Sequence, residues 1–203
     1  MHGSRFLPSR SCQGHPDPGP RHVAARLREG RANTVRGAAH FLVETIGRVR
    51  HAGASGQLTM RAHSGFYAHE VVAVCRKMGV RFSITIRQHR SVRRRIEAIP
   101  EDAWTPIPYW IAGGADVAET TYTSFAGEKD AKPVRLIVRR VKPTPGSQLA
   151  LLTLYDYHAF ITDRDGTMLE LEADHRRNAE IENAIRDLEV RGGAQSPALW
   201  PVR

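Results

Sequence analysis

The chain reads as an α/β domain whose strand-helix-strand core is interrupted by a block of short strands. Three observations predict that class. Apolar residues recur at helical spacing from Phe41 to Val49 and again from Val71 to Cys75. A β-branched run, Val80 to Arg87, follows the second of these after Gly79. From residue 107 onward, short apolar-alternating runs are broken by Gly, Pro and Asp.

Taken in order, residues 1–22 hold Pro8, Pro16, Pro18 and Pro20 without periodicity, which predicts a disordered lead. Alternation from Val23 to Arg28 predicts a short strand, and Gly30 to Asn33 a turn. Asn33 or Thr34 can cap a helix running to about Arg50, with Phe41, Leu42, Thr45, Ile46 and Val49 inward, before the Gly53 to Gly56 break. Gln57 to Ala62 then reads as a strand, and Tyr67 to Met78 as a helix with Val71, Val72, Val74 and Cys75 inward. With Val80 to Arg87 this completes a βαβ unit. Ser91 to Ala98 makes a short, very basic helix. Strands are expected at Ile107 to Ile111, Val117 to Tyr122, Val134 to Val141, Leu149 to Tyr155 and Tyr157 to Thr162, joined by hairpin or meander turns that include Asp165 and Gly166. Asp174 is expected to cap a last helix to about Leu188, with Ile181, Ile185 and Leu188 on one stripe. His175, Asn178, Glu182 and Glu189 stack along another side of that helix. Past Arg191 no period remains, and the tail is read as unstructured.

Composition narrows the partners. The 203 residues carry 30 Lys and Arg against 21 Asp and Glu, a net charge of +9, which favours a polyanion. No apolar run approaches the 18 or so residues of a spanning helix, and the start lacks the apolar core of a signal peptide. Two cysteines, Cys12 and Cys75, are too few for a disulfide framework or a zinc cluster, so a reducing cytoplasm is expected. His63, His69 and Glu70 do not make the HExxH zinc spacing.

Two stretches carry a resemblance. Arg61, Ala62, His63, Ser64, Gly65, Phe66 and Tyr67 resemble the second metal-carboxylate motif of bacterial insertion-sequence transposases with an Asp-Asp-Glu (DDE) catalytic domain, where the third residue is Asp. Ile181 to Leu188 resembles the family's helix motif around its catalytic Glu, here Glu182. The likeness spans about Val23 to Leu188. It implies an RNase H-like (retroviral-integrase-like) core with a β-rich insertion before the last helix. That core is expected to be incomplete on its N-terminal side, because no strand-borne first Asp precedes Val23. The implied organisation is a lead at 1–22, a partial core at 23–99, the insertion at 100–170, the catalytic-Glu helix at 171–190 and a tail at 191–203.

The family's chemistry is metal-dependent DNA cleavage and strand transfer, using Mg²⁺ or Mn²⁺ held by acidic oxygens. Glu182 is the implied metal ligand and retained catalytic acid, and His63 stands where the second Asp is expected. Imidazole suits zinc, copper or iron better than Mg²⁺ and removes a negative charge, so His63 is read as a packed strand-end residue and no productive metal binding is expected. Asn178 and Glu189 occupy places that are basic in the family motif, and His175 keeps its place in that motif. Phosphate contact falls to Arg93, Arg94, Arg95, Arg139, Arg140 and Lys142, with His175 and Asn178 facing the same DNA. Trp104 and Trp110 could stack on an extruded base, though a core role is the simpler expectation. The resemblance also implies a bacterial, nucleoid-associated protein whose partners are element-end DNA and further copies or a full-length transposase. The expected product is a truncated transposase fragment without cleavage activity, its tail resembling a frameshifted family ending, and the rival is a non-catalytic DNA-binding or oligomerising remnant.

Overall fold

The structure, a computed structural model, describes residues 5–8, 37–146 and 155–177. The expected strand at Val23 to Arg28, the caps at Asn33 and Thr34, the strand residues Leu149 to Leu154, and Asn178, Glu182 and Glu189 lie outside those residues. One mixed sheet organises the rest, in the order β1-β2-β3-β7-β6-β5-β4.

Helix α1, Ala38–His51, starts after Gly37, whose left-handed φ of 71° suits a residue without a side chain. Ala38, Leu42, Thr45, Ile46 and Val49 form its buried stripe. Strand β2, Leu58–Ala62, alternates, with Leu58, Met60 and Ala62 buried. A 3-10 turn at Ser64–Phe66 leads to α2, His69–Lys77, which buries Val71, Val72 and Cys75. Gly79, at φ 61°, then turns the chain into β3, Arg81–Ile86, which lies parallel to β2. The βαβ unit of the sequence reading is therefore present.

Helix α3, Arg90–Glu97, buries Val92 and Ile96. The block that follows contributes β4, Thr105–Ile107, β5, Ala115–Thr123, β6, Pro133–Val141, and β7, Asp156–Thr162. All four are antiparallel to their neighbours, and β7 pairs with β3 through Ser83–Thr162 to Ile86–Ala159. The β-rich block is thus an extension of the core sheet. Strand β4 lies earlier than the expected Ile107 to Ile111. Pro106 is tolerated because the strand is at the sheet's edge, and Pro108, which has no N–H to donate, follows where it stops.

Two further expectations need correction. Within the lead read as disordered, β1, Arg5–Pro8, pairs antiparallel with β2 and covers its outer edge. The last described helix, α4, Met168–Arg176, is capped by Thr167 and not by Asp174. Thr167 accepts from the Glu170 backbone while the Glu170 side chain accepts from Thr167 N, a reciprocal capping box. Asp165 and Gly166 accordingly lie in the connection between β7 and α4, where a hairpin was expected.

The sheet is covered on both faces. On one, Phe82, Ile84, Leu136, Val138 and Ile161 pack with α1, α2 and α3 in the main core. On the other, Val117, Ile137 and Phe160 meet Leu171 of α4 in a smaller cluster. That second face holds the polar residues that matter here.

Candidate functional site

The quoted motif begins on β2 and ends in the turn after it. His63 continues the strand with extended backbone, φ −78° and ψ 172°, and caps the 3-10 turn. Its Nδ1 accepts a hydrogen bond from Gly65 N at 3.0 Å, and its ring meets the buried Phe66 edge-on at 4.9 Å. An Asp oxygen at this position could accept the same N–H, since a side-chain acceptor is what a turn of this kind needs. His63 serves that capping role without the negative charge an Asp would bring.

Helix α4 brings its own polar face onto the sheet. Ser83 Oγ lies 2.7 Å from His175 Nδ1, Thr85 Oγ1 lies 3.0 Å from Nε2, and the ring stacks on Phe160 at 4.0 Å. Burial, reinforced by the charges of Arg61 and Arg139, pushes the His175 pKa down to about 3. The ring is neutral across the physiological range.

One residue earlier, Asp174 meets three guanidiniums. Arg61 Nη2 donates to Oδ2 at 2.6 Å, Arg164 Nη1 donates to the same oxygen, and Arg177 Nη2 reaches Oδ1 at 3.3 Å. Burial opposes ionisation of Asp174, but the Arg164 hydrogen bond and the Arg61 charge outweigh it and hold the carboxyl below its ordinary range. Glu172, only 2% exposed, is bound by Arg139 Nη1 at 2.6 Å and by Arg176 Nη2 at 3.5 Å. A carboxylate buried that deeply requires such partners.

The sheet register shows how these parts converge. Arg61 pairs with Ser83 across β2 and β3, and Ser83 pairs with Thr162 on β7. His63 follows Ala62, the partner of Ile84, and by strand alternation lies on the Arg61 face. The motif strand and α4 thus share one face, joined by the Arg61–Asp174 bond across 113 residues. Glu182, the expected metal ligand, and Asn178 lie outside the described residues.

Among the described residues no three His, Cys, Asp or Glu side chains gather as a ligand set. The described donors on this face do not by themselves fit a pair of Mg²⁺ or Mn²⁺ ions. Such ions need clustered negative oxygens, whereas both His175 nitrogens face hydroxyls and both α4 carboxylates are held by arginine.

The cationic residues divide into two groups. On α3, Arg90, Arg93, Arg94 and Arg95 are exposed, and a shallow groove there is lined by Gln88, His89, Arg90, Arg93, Arg94 and Glu97. The β6 residues expected beside them turn inward. Arg139 is held by Glu172, and Arg140, 6% exposed, binds both Asp116 and Glu101 while lying over the Trp104 and Tyr155 rings. Lys142 Nζ lies 2.9 Å from the other Asp116 oxygen. A strand covered on both faces buries its arginines, and buried arginines must be paired. The two tryptophans also part company: Trp104 packs against the core as expected, while Trp110 is 82% exposed.

Arg61, Glu172 and Asp116 were given no role in the sequence reading. For α4 a signal was present, the Thr167 to Glu170 capping-box spacing, which fixes the helix start and so the face that Glu172, Asp174 and His175 occupy.

The family model for transposase DDE domain group 1 matches residues 14–194. No curated protein matches the chain.

Proposed function

The chain belongs to that family of DDE transposase domains, and on this premise we propose that it engages DNA without cutting it. The α/β sheet with helices on both faces is the RNase H-like core of such a domain, whose place is in DNA transposition. Domains of this family generally work through divalent metals, held by carboxylates that activate water and stabilise the leaving oxygen.

The observation that carries the proposal is the hydrogen bond from Gly65 N to His63 Nδ1. It supports a capping role for the side chain that we place at the second acid's position. On the same face, Arg61 and Arg164 pair with Asp174, which engages that carboxylate among the described residues. DNA contact falls to Arg93, Arg94 and Arg95 on α3, which have no carboxylate partner among the described residues. Glu182 remains the proposed surviving acid of the family motif.

A plasmid-nicking assay with Mg²⁺ or Mn²⁺ tests this directly. No turnover is expected. Metal-dependent nicking that disappears in Glu182→Gln would overturn the proposal. A second reading, a DNA-binding remnant that interferes with an intact transposase, is favoured by the unneutralised α3 surface. Adding the chain to an active relative's strand-transfer reaction separates the two.

A further inference from the structure

Helix α3 lacks the means to hold itself in place. It is eight residues long, four of them arginine, and an isolated helix shorter than about 12 residues is marginal in water. Its N-cap residue, His89, makes no side-chain capping bond, and the first turn carries no acid, so Arg90 stands unbalanced at the positive end of the backbone dipole. Arg90 and Arg94, one turn apart, repel each other. The packing of Val92 and Ile96 is non-directional and does not by itself fix the orientation of the helix.

A directional contact comes from the end of β5. Tyr122, 8% exposed, places its hydroxyl 3.1 Å from Ser91 Oγ and 3.4 Å from His89 Nε2, and so holds the residues on either side of Arg90. The other His89 nitrogen, Nδ1, donates to Arg87 O at 2.8 Å. The support beneath Tyr122 is itself fastened. Three residues on, Phe125 adopts a left-handed backbone with φ 55°, which a residue with a side chain rarely takes. Its ring stacks on Tyr67 at 4.7 Å and meets His69 edge-on at 5.7 Å, while His69 Nε2 lies 2.6 Å from Asp130 Oδ1. Such a backbone persists only where its surroundings over-determine it. Tyr67 ends the quoted motif, and its ring lies 6.3 Å from that of His89, so a row of rings runs from the motif turn to α3.

We propose that Tyr122 is a positioning residue for α3: by holding Ser91 and His89 it sets the helix so that Arg90, Arg93 and Arg94, which line one groove, act on a polyanion together. The inference rests on the reading of α3 as the DNA-contacting surface.

The test compares the full native chain with Tyr122→Phe, Ser91→Ala and Ser91→Thr. Fluorescence anisotropy of a short labelled duplex is measured across a salt series, and amide hydrogen exchange is measured without DNA. Tyr122→Phe should weaken binding roughly fivefold and lower the slope of log K against log salt by about 1, because an arginine out of place no longer displaces its counterion. A fold that is merely destabilised loses binding-competent molecules and keeps its slope. Exchange should quicken at the amides of Arg93 to Ala98, which close the α3 ladder, and not in α2. Ser91→Ala removes the same bond from its other side and should repeat the effect, whereas Ser91→Thr keeps the hydroxyl and should restore the slope. Ser91 is exposed, so this pair answers even if Tyr122→Phe fails to fold.

A native slope in folded Tyr122→Phe overturns the inference, and so does exchange that quickens evenly across all helices. Where the native chain fails to bind the duplex, or binds it with a slope that Arg93→Gln, Arg94→Gln and Arg95→Gln together leave unchanged, the proposed DNA contact falls. The exchange comparison then decides alone whether Tyr122 places α3.

Discussion

Arg61 and Asp174 are 113 residues apart and meet at 2.6 Å, tying the motif strand to the last described helix. The bond is largely shielded, since each side chain retains 20% exposure or less. Asp174→Asn would leave Arg61 and Arg164 facing a neutral amide. The expected cost is about 2–3 kcal/mol, read from urea unfolding. Pairing it with Arg61→Gln in a double-mutant cycle should return a coupling of roughly 1–2 kcal/mol. Additive losses would show that the pair contributes nothing of its own.

Acid should destabilise the fold well above the range where carboxylates titrate. His175 has a folded pKa of about 3 against an ordinary 6.5, so between those values the unfolded chain binds a proton that the folded chain does not. Stability from this residue is complete above 6.5 and declines as pH falls toward 3. At pH 5 the loss is about 2 kcal/mol. Asp174 acts in the same direction lower down, its depressed pKa giving stability that is lost as pH falls through the folded value. His175→Gln should flatten the stability profile between pH 6.5 and 4, and an unchanged slope would contradict the assignment.

The His63 cap predicts a graded mutant series. His63→Asp keeps an acceptor for Gly65 N and should leave stability within about 0.5 kcal/mol, whereas His63→Ala removes it and should cost about 1 kcal/mol. Thermal melts in the absence of metal distinguish them. His63→Asp alone should not restore nicking, because the arginines around α4 remain.

Charge removal should sort the arginines into two classes. The triple Arg93→Gln, Arg94→Gln, Arg95→Gln variant should retain its melting temperature and lower the slope of log K against log salt for DNA by roughly 2–3. Arg140→Gln should do the reverse, leaving Asp116 and Glu101 short of their partner and costing about 3 kcal/mol. Equal effects of the two variants on the salt slope would refute the division.

Local pattern was enough to locate α1, β2, α2, β3 and α3, because each is specified by its own periodicity and its own glycine or turn. It failed where partners are distant. Asp174 is a residue type that favours helix caps, yet its partners Arg61 and Arg164 lie outside the helix and Thr167 takes the cap. Arg139 and Arg140 count toward the net charge like any others, and only the pairing of β6 with β5 and β7 shows that they are enclosed. The same blindness to burial put Trp110 with Trp104 in the core. For the site, the strand-end place of His63 was legible from the quoted motif. The arginine surroundings were not, since they are assembled from β2, β6, the segment before α4 and α4 itself.

Strand β7 joins the two halves of the sheet: β3 lies on one side of it and β6 on the other. No seam exists between the βαβ unit and the strands inserted after it, and a hinge there would have to break a ladder. Unfolding should therefore proceed as a single cooperative event, with backbone circular dichroism and tryptophan emission changing at one denaturant concentration.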